Sequence, residues 1–245
     1  MKYAAKIIYK PNMKAIEKQR VENEVKLLSE MSHHNVLRMW EVFNESDFYV
    51  IVSEYLSGGT LLEKILQKQY YSEANAKKAM TFLLSAVQHC HSMKIVHRDL
   101  RLQNIMLASS DDDTYMKIID FEFATKAESD QCLLTQCGTP LYIAPEILQG
   151  TPYGSKVDLW SLGVICYCML AGYFPFMSHD QKTLYRLIKK GKFTFQAEYW
   201  GQISLEARQF IECLLDTNPD KRYSATQALD HAWLKADEMQ TIDLR

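Results

Sequence analysis

The chain has 245 residues, of which 47% are hydrophobic and 24% are charged, and its formal net charge is -2. This length suffices for one large domain or two closely packed lobes, and the small net charge excludes a general electrostatic attraction to nucleic acid or to membrane surfaces. The six cysteines form no Cys-x-x-Cys pair and no signal-peptide pattern is visible, so we expect reduced thiols in a cytoplasmic protein, with a nuclear location as the alternative.

The first predicted elements form a small strand-rich region. Residues 1–10 have the pattern of a strand, and residues 13–31 have the periodicity of a helix. Two more strands are predicted at residues 35–43 and 48–56, joined by a polar turn. The stretch Ser-Gly-Gly at 57–59 is the first flexible segment, and it predicts a hinge.

Beyond the hinge the predicted structure is mainly helical. Ser72 has the position of an N-cap for a long helix that ends near His91. Residues 104–107 and 116–120 predict a hairpin, and helices dominate residues 145–234. The order of elements therefore indicates an α+β chain, with a strand-rich lobe, a larger helical lobe and a cleft at the hinge.

One helical segment has the composition of a membrane span. Residues 159–178 carry no charge and have about the length that crosses a bilayer. However, Pro175 interrupts the segment, Gly172 precedes that interruption and Asp158 stands at its start. These features favour a fully buried core helix, and a true span remains the alternative.

Glu24 lies beside an apolar stripe in the first predicted helix. Val21, Val25 and Leu28 recur at helical spacing and predict an inward face. A carboxylate next to such a face needs a partner, because an unpaired buried charge is costly, and Lys6 on the opening strand is the nearest candidate. Taken alone, the two residues are better explained as ordinary surface charges.

Several short motifs follow one another in a definite order. In chain order they are Lys6, Glu24, His97-Arg98-Asp99 with Asn104, Asp120-Phe121-Glu122, Ala144-Pro145-Glu146, Asp158 in "DLWSLG" and the late Arg222. This order resembles the signature set of the eukaryotic protein kinase family, over residues 2–234. The stretches "CGTPLYIAPEIL" and "AGYFPF" are most similar to the calcium/calmodulin-dependent serine/threonine kinase group.

The resemblance implies a bilobal kinase fold and a serine/threonine protein kinase that uses ATP and Mg²⁺. It implies a partial N-lobe at residues 1–56, which starts at the lysine strand, a C-lobe at 57–234 and a short tail at 235–245. The expected partners are a nucleotide and protein substrates, with no nucleic acid and no membrane.

The resemblance also implies a role for each position that matches a family motif. For ATP binding these positions are Ala4, Lys6, Glu24, Ser53, Glu54, Leu56 and Met106. For catalysis they are Asp99, Arg101 and Thr139, and for magnesium they are Asn104 and Asp120. For regulation they are Thr135, as a phosphorylation site, and Arg98, as its phosphate partner. For structural support they are His97, Phe121, Glu146, Asp158 and Arg222.

The chain departs from the family pattern before its lysine strand. No glycine precedes Gly58, so the family's glycine-rich hairpin over the ATP phosphates is absent from this sequence. We expect a lower affinity for ATP, since backbone amides that would hold the phosphates are missing. A fragment of a longer protein and a natural lidless form both remain open.

Further departures lie in and near the cleft. Arg101 replaces a lysine, and Leu102 and Gln103 replace a proline and a glutamate. Glu122 replaces the glycine that gives the family's Asp-Phe-Gly segment its backbone freedom. Gln103 and Thr60 are neutral where basophilic relatives have acidic residues, so a preference for basic substrates is not expected.

The sequence leaves two functional hypotheses. An active serine/threonine kinase is favoured, because Lys6, Glu24, Asp99, Asn104 and Asp120 are all present. A pseudokinase-like binding module with weak or no catalysis is the alternative. The stretch after Trp233 is short and mixed in charge, so it predicts no calmodulin-binding helix.

Overall fold

The computed structural model describes residues 2–129 and 131–235. Its strands are β1 (Tyr3–Tyr9), β2 (Met39–Asn44), β3 (Phe48–Glu54), β4 (Ile95–Val96), β5 (Ile105–Leu107), β6 (Met116–Ile118) and β7 (Thr125–Lys126). Its helices are α1 (Ala15–Glu30), α2 (Leu61–Lys68), α3 (Glu73–Ser92), α4 (Pro145–Gln149), α5 (Lys156–Ala171), α6 (Gln181–Lys190), α7 (Ala197–Trp200), α8 (Leu205–Leu214), α9 (Ala225–Leu229) and α10 (Ala232–Lys235). The predicted tail, apart from Lys235, lies outside the described residues.

The strand-rich part of the chain is an antiparallel sheet packed against one helix. The strand order is β1-β3-β2, so β3 lies between the other two. Because side chains alternate along a strand, Tyr49 and Ile51 of β3 point to the same face, and there they form a small core with Val21 of α1. Ala4 and Lys6 share one face of β1 for the same reason, and Lys6 on that face contacts Glu24 of α1.

The hinge packs directly on the β5–β6 hairpin. The Gly58 amide donates a hydrogen bond to the Leu107 carbonyl at 3.2 Å. A Cβ atom on Gly58 would lie 2.4 Å from the Ser109 carbonyl oxygen and 2.5 Å from Leu107 Cβ, so only glycine fits this approach. On the same border, Lys117 Nζ of β6 lies 2.8 Å from Glu54 Oε1 at the end of β3. The hairpin therefore holds the sheet to the helical part of the chain.

Helix α5 is the centre of the helical part. Every residue from 157 to 171 is buried, and α3 and α8 pack against the helix. A Cβ atom on Gly163 would lie 2.9 Å from Leu214 Cβ, so the glycine permits the close approach of α8. The apolar segment predicted from the sequence is thus a core helix, and in the described part of the chain no helix is long and apolar enough to cross a membrane.

The predicted elements agree with the structure in kind and differ at their ends. Helix α3 begins after its predicted N-cap, since the Ser72 hydroxyl accepts a hydrogen bond from the Asn75 amide. Helix α2 was not predicted, although Thr60 and Glu63 cap it with reciprocal hydrogen bonds. The pairing of β4 with β7 was also not predicted, because two-residue strands carry no periodic signal.

Candidate active site

Helix α1 delivers the predicted glutamate to the predicted lysine. Lys6 Nζ lies 2.9 Å from Glu24 Oε2 and 3.2 Å from Oε1. Glu24 is 3% exposed, so its carboxylate depends on this ammonium group for charge compensation. The contact favours an ion pair over two unrelated surface charges, and it fixes the lysine side chain at the border of the sheet and the helical lobe.

The same face of α1 also docks on the segment that follows Asp120. Arg20 Nη1 lies 3.5 Å from Glu122 Oε1, and its guanidinium lies 4.8 Å from the centre of the Phe123 ring. Asn23 Nδ2 donates a hydrogen bond to the Ala124 carbonyl at 2.8 Å. These contacts were not predicted from the sequence, where Glu122 stood out only as the replacement of a family glycine. The structure turns the Glu122 carboxylate towards α1.

Asp99 lies at the centre of a network that joins residues 99–104 to Thr139. Its Oδ1 atom accepts a hydrogen bond from Thr139 Oγ1 at 2.9 Å, and Oδ2 accepts one from Asn104 Nδ2 at 3.2 Å. Arg101 Nε forms an ion pair with Oδ2 at 3.3 Å, without hydrogen-bond geometry. Thr139, from a separate motif, therefore meets Arg101 and Asn104 at the Asp99 carboxylate.

The backbone and the side chain of Asp120 each have a feature expected of a cation ligand. Its φ of 61° lies in the left-handed region, which is strained for a residue with a Cβ atom. Its Oδ1 atom is buried and has no hydrogen-bond partner, which is costly without a cation or water. The preceding Ile119 amide donates to the Asn104 carbonyl at 2.9 Å, so the two predicted metal ligands lie on adjoining strands of chain.

The donor set fits magnesium. Asn104 Nδ2 is bonded to Asp99, which leaves the amide oxygen as the atom that can face a cation. Magnesium is commonly held by one or two protein oxygen ligands together with substrate phosphates and water. Within residues 2–129 and 131–235, no group of three or more His, Cys, Asp or Glu side chains that could hold a metal ion is present.

The other predicted ATP-binding residues lie on or just after the strands of the sheet and the β5–β6 hairpin. Ala4 and Ser53 are register partners on β1 and β3, and Ser53 and Leu56 are buried. Met106 lies on β5 of the hairpin, opposite Lys117. Glu54 ends β3, and besides Lys117 its Oε1 atom accepts the Arg38 amide at 2.8 Å. The Glu54–Lys117 ion pair was not predicted from the sequence.

The Asp158 side chain holds the backbone of His97 and Arg98. It is 1% exposed, and its carboxylate accepts hydrogen bonds at 2.9 Å from His91 Nε2 and from the amides of His97 and Arg98. Burial alone would raise the pKa of Asp158, but the His91 hydrogen bond, the charges of His91 and His97 and the His97 amide outweigh it and lower the pKa. The His97 ring in turn contacts Phe121, with centroids 4.7 Å apart.

The predicted pair of Glu146 and Arg222 is present and fully buried. Arg222 Nη1 and Nη2 donate to Glu146 Oε1 and Oε2 at 2.7 and 2.9 Å. Arg222 is 0% exposed, and it donates two further hydrogen bonds to the carbonyls of Asp216 and Lys156. The ion pair therefore connects α4, which carries Glu146, to the stretch between α8 and α9, which carries Arg222.

The two predicted regulatory residues are connected through a third. Thr135 is exposed, and its carbonyl accepts a hydrogen bond from the Tyr153 hydroxyl at 2.6 Å. Arg98 Nη1 donates to the same hydroxyl at 3.4 Å, while Arg98 Nε donates to the Phe123 carbonyl at 2.7 Å. Tyr153 was not predicted as a site residue.

Helix α1 thus links the Lys6 ammonium group to the segment that follows Asp120. An ammonium group, carboxylates and an amide oxygen are the groups that a phosphoryl-transfer enzyme requires. The family model described as the protein kinase domain matches residues 1–234, and the chain belongs to this family. The expected bilobal fold class and the serine/threonine kinase class are confirmed by this match and by the relatives below.

The similar curated proteins are calcium/calmodulin-dependent protein kinases. The type 1 kinase of Caenorhabditis briggsae is 39% identical over 99% of this chain and 67% of that protein. The type 1 kinase of Caenorhabditis elegans is 38% identical over 99% of this chain and 69% of that protein. The type II delta subunit of Oryctolagus cuniculus is 40% identical over 95% of this chain and 44% of that protein. The expected similarity to this kinase group is confirmed.

Proposed function

We propose that this kinase domain transfers the γ-phosphoryl group of ATP to serine and threonine hydroxyls of protein substrates. The observation that carries the proposal is the position of Asp99, whose carboxylate is held by Thr139, Asn104 and Arg101 at the border of the cleft. A carboxylate offers about four acceptor positions, so Asp99 keeps capacity for a substrate hydroxyl. It would align that hydroxyl and accept its proton as the phosphoryl group is transferred.

The other residues position charge around the reacting group. Lys6, held by Glu24, would bind the α- and β-phosphates. Arg101 would keep a positive charge near both Asp99 and the transferred group. Asn104 and Asp120 would hold magnesium, which when bound neutralises phosphate charge. Phosphoryl transfer depends mainly on such positioning and electrostatic stabilisation.

Nothing in the comparisons supports the alternative of a non-catalytic binding module. The relatives are named as calmodulin-dependent, and that dependence is theirs. The absence of a calmodulin segment after Trp233 remains a prediction, because most of that stretch lies outside the described residues. The cytoplasmic location likewise remains a prediction.

The proposal is tested by Asp99→Asn in a phosphate-transfer assay with a serine-containing peptide. The amide oxygen can still accept from Asn104 Nδ2, and the amide NH2 group can donate to the Thr139 hydroxyl in place of the present bond. The basic carboxylate is lost, so transfer should fall by at least about a hundredfold. The melting temperature should stay within about 2 °C, and the exposed control Asp111→Asn should keep full activity. Transfer by Asp99→Asn at the wild-type rate would remove Asp99 from this role.

Nucleotide binding is tested separately by thermal melting. Magnesium and ATP at a hundred times the dissociation constant should stabilise the protein by about 2.7 kcal/mol. Asp120→Asn should reduce the part of this stabilisation that requires magnesium, since the side chain loses its negative charge and one of its two oxygens. No stabilisation of the wild type at millimolar nucleotide would favour the binding-module alternative.

A further inference from the structure

Tyr153 lies where three parts of the active-site region meet. It follows α4, and it is 2% exposed. Its backbone pairs with that of Leu133, with the Leu133 amide donating to the Tyr153 carbonyl at 3.1 Å and the reverse bond at 2.9 Å. Its hydroxyl donates to the Thr135 carbonyl at 2.6 Å. One residue thus holds residues 133–135 by both its backbone and its side chain.

The Tyr153 hydroxyl is suited to the role of a permanent donor. Burial raises the pKa of Tyr153 to about 12, so the phenol keeps its proton at physiological pH. The oxygen accepts a bond from Arg98 Nη1 at 3.4 Å, which polarises the hydroxyl towards Thr135. Cys137 Sγ is a third neighbour at 3.8 Å.

Arg98 is itself rigidly placed. Its backbone has a φ of 68°, and its amide donates to Asp158 Oδ1 at 2.9 Å. Its Nε atom donates to the Phe123 carbonyl at 2.7 Å. Gly138, with a φ of 105°, returns so close that a Cβ atom there would lie 2.9 Å from the Arg98 carbonyl oxygen. The Arg98 side chain therefore bridges Phe123, which lies before residues 133–139, and Tyr153, which lies after α4.

We propose that Tyr153 is a positioning residue that holds residues 133–139 in place before Thr135 is phosphorylated. This inference rests on the proposed function, because it assigns a regulatory role next to the same site. Residues 133–139 end at Thr139, whose hydroxyl bonds to Asp99 at 2.9 Å. The bonds of the Tyr153 hydroxyl thus keep the substrate side of Asp99 assembled in the unmodified protein.

Phosphorylation of Thr135 should make the Tyr153 hydroxyl dispensable. A phosphate there would offer Arg98 an anionic acceptor, and charge-assisted hydrogen bonds are about twice as strong as neutral ones. The contact from Arg98 would then hold residues 133–139 directly. The hydroxyl and the phosphate should therefore be redundant, and the loss of one should matter most when the other is absent.

The test is Tyr153→Phe in two backgrounds, Thr135→Ala and protein carrying phosphothreonine at position 135. In the Thr135→Ala background, the variant should lower kcat/KM for a peptide substrate by about five- to tenfold, the effect of one lost hydrogen bond. In the phosphorylated background the loss should be less than about twofold, and the KM for ATP should change in neither. Equal losses in both backgrounds, or no loss in either, would overturn the proposal.

The matched control is Tyr167→Phe. Tyr167 is also buried, and its hydroxyl donates to the Thr194 carbonyl at 2.8 Å, away from residues 133–139. Its substitution removes a comparable phenol bond from the core, so any effect on activity should be independent of phosphorylation. A phosphorylation-dependent loss in this control would mean that general stability explains the result.

A second measurement does not depend on catalysis. The amides of Leu133 and Tyr153 bond to each other's carbonyls, so their hydrogen exchange reports directly on the position of residues 133–135. Tyr153→Phe should raise their exchange rates about five- to tenfold in the unphosphorylated protein and about twofold or less in the phosphorylated one. If no variant transfers phosphate, the proposed function fails while this result still decides the inference; unchanged exchange would contradict it.

Discussion

Among single residues, Arg222 is the most demanding in this fold. A guanidinium that is 0% exposed has lost its hydration, and Glu146 supplies the only carboxylate among the partners that the structure gives it. Burial of such a pair is costly, so its net contribution to stability is small while it is intact. The effect of removing one partner is much larger, because the other charge stays buried.

Glu146→Ala should therefore destabilise the protein by about 3–5 kcal/mol, measured by urea denaturation or thermal melting. The control is Lys94→Ala, which removes an exposed ion pair with Glu128 and should change the melting temperature little. A melting temperature of Glu146→Ala equal to that of the wild type would refute a structural role for the pair.

At the scale of elements, helix α1 is held by two ion pairs that differ in burial. Glu24 is buried against Lys6, whereas Arg20 and Glu122 are each more than a third exposed. An exposed pair contributes at most about 1 kcal/mol, so Arg20 tunes the position of α1 without determining it. Glu122, which replaces a glycine of the family pattern, thus makes a weak contact with the helix that carries Glu24.

Arg20→Ala should lower kcat by no more than about fivefold, the rate equivalent of that free energy, and leave the melting temperature nearly unchanged. Lys18→Ala, on the exposed side of α1, is the control and should have no effect. The charge swap Arg20→Glu with Glu122→Arg should recover part of the activity, and a double-mutant cycle measures the coupling. Purely additive losses would mean that the two side chains act independently.

How far the sequence predicted these elements depends on the kind of signal. Glu24 was found because an apolar stripe in its own helix marks the inward face. Helix α1 was predicted two residues too early, since its N-cap is Lys14 with Glu17 at N3, and lysine is not a recognised cap. Arg20 and Tyr153 were missed because their partners are distant in sequence and polar, and such contacts leave no periodic pattern. The roles of the site residues remain predictions that these geometries support.

At the scale of the whole molecule, we expect nucleotide binding to be sensitive to changes at the border between the sheet and the helical lobe. Gly58 approaches the hairpin more closely than any side chain allows, and the Glu54–Lys117 pair spans the same border. A close backbone approach and an ion pair therefore both join the sheet to the helical part at this border. A change at this border should affect nucleotide binding without touching any residue of the cleft.

Gly58→Ala tests this expectation. The added methyl group must displace the Ser109 carbonyl or Leu107, which should cost about 1–3 kcal/mol of stability. It should also reduce the stabilisation by magnesium and ATP, because the hinge moves away from the hairpin that carries Met106. The neighbouring Ser57→Ala adds no atoms at an exposed site and is the control. Wild-type melting and nucleotide response in Gly58→Ala would show that the border tolerates this shift.

The burial of α5 on every side has a consequence for folding during protein synthesis. The helix ends at Ala171, whereas α8, whose Leu214 covers Gly163, is completed roughly 40 residues later in the chain. At about 5–20 residues per second, translation leaves the apolar helix α5 without its neighbour α8 for about 2–9 s. During that interval α3 is the only one of its two main neighbours already made, so nascent chains should depend on chaperones that shield apolar segments at the ribosome exit.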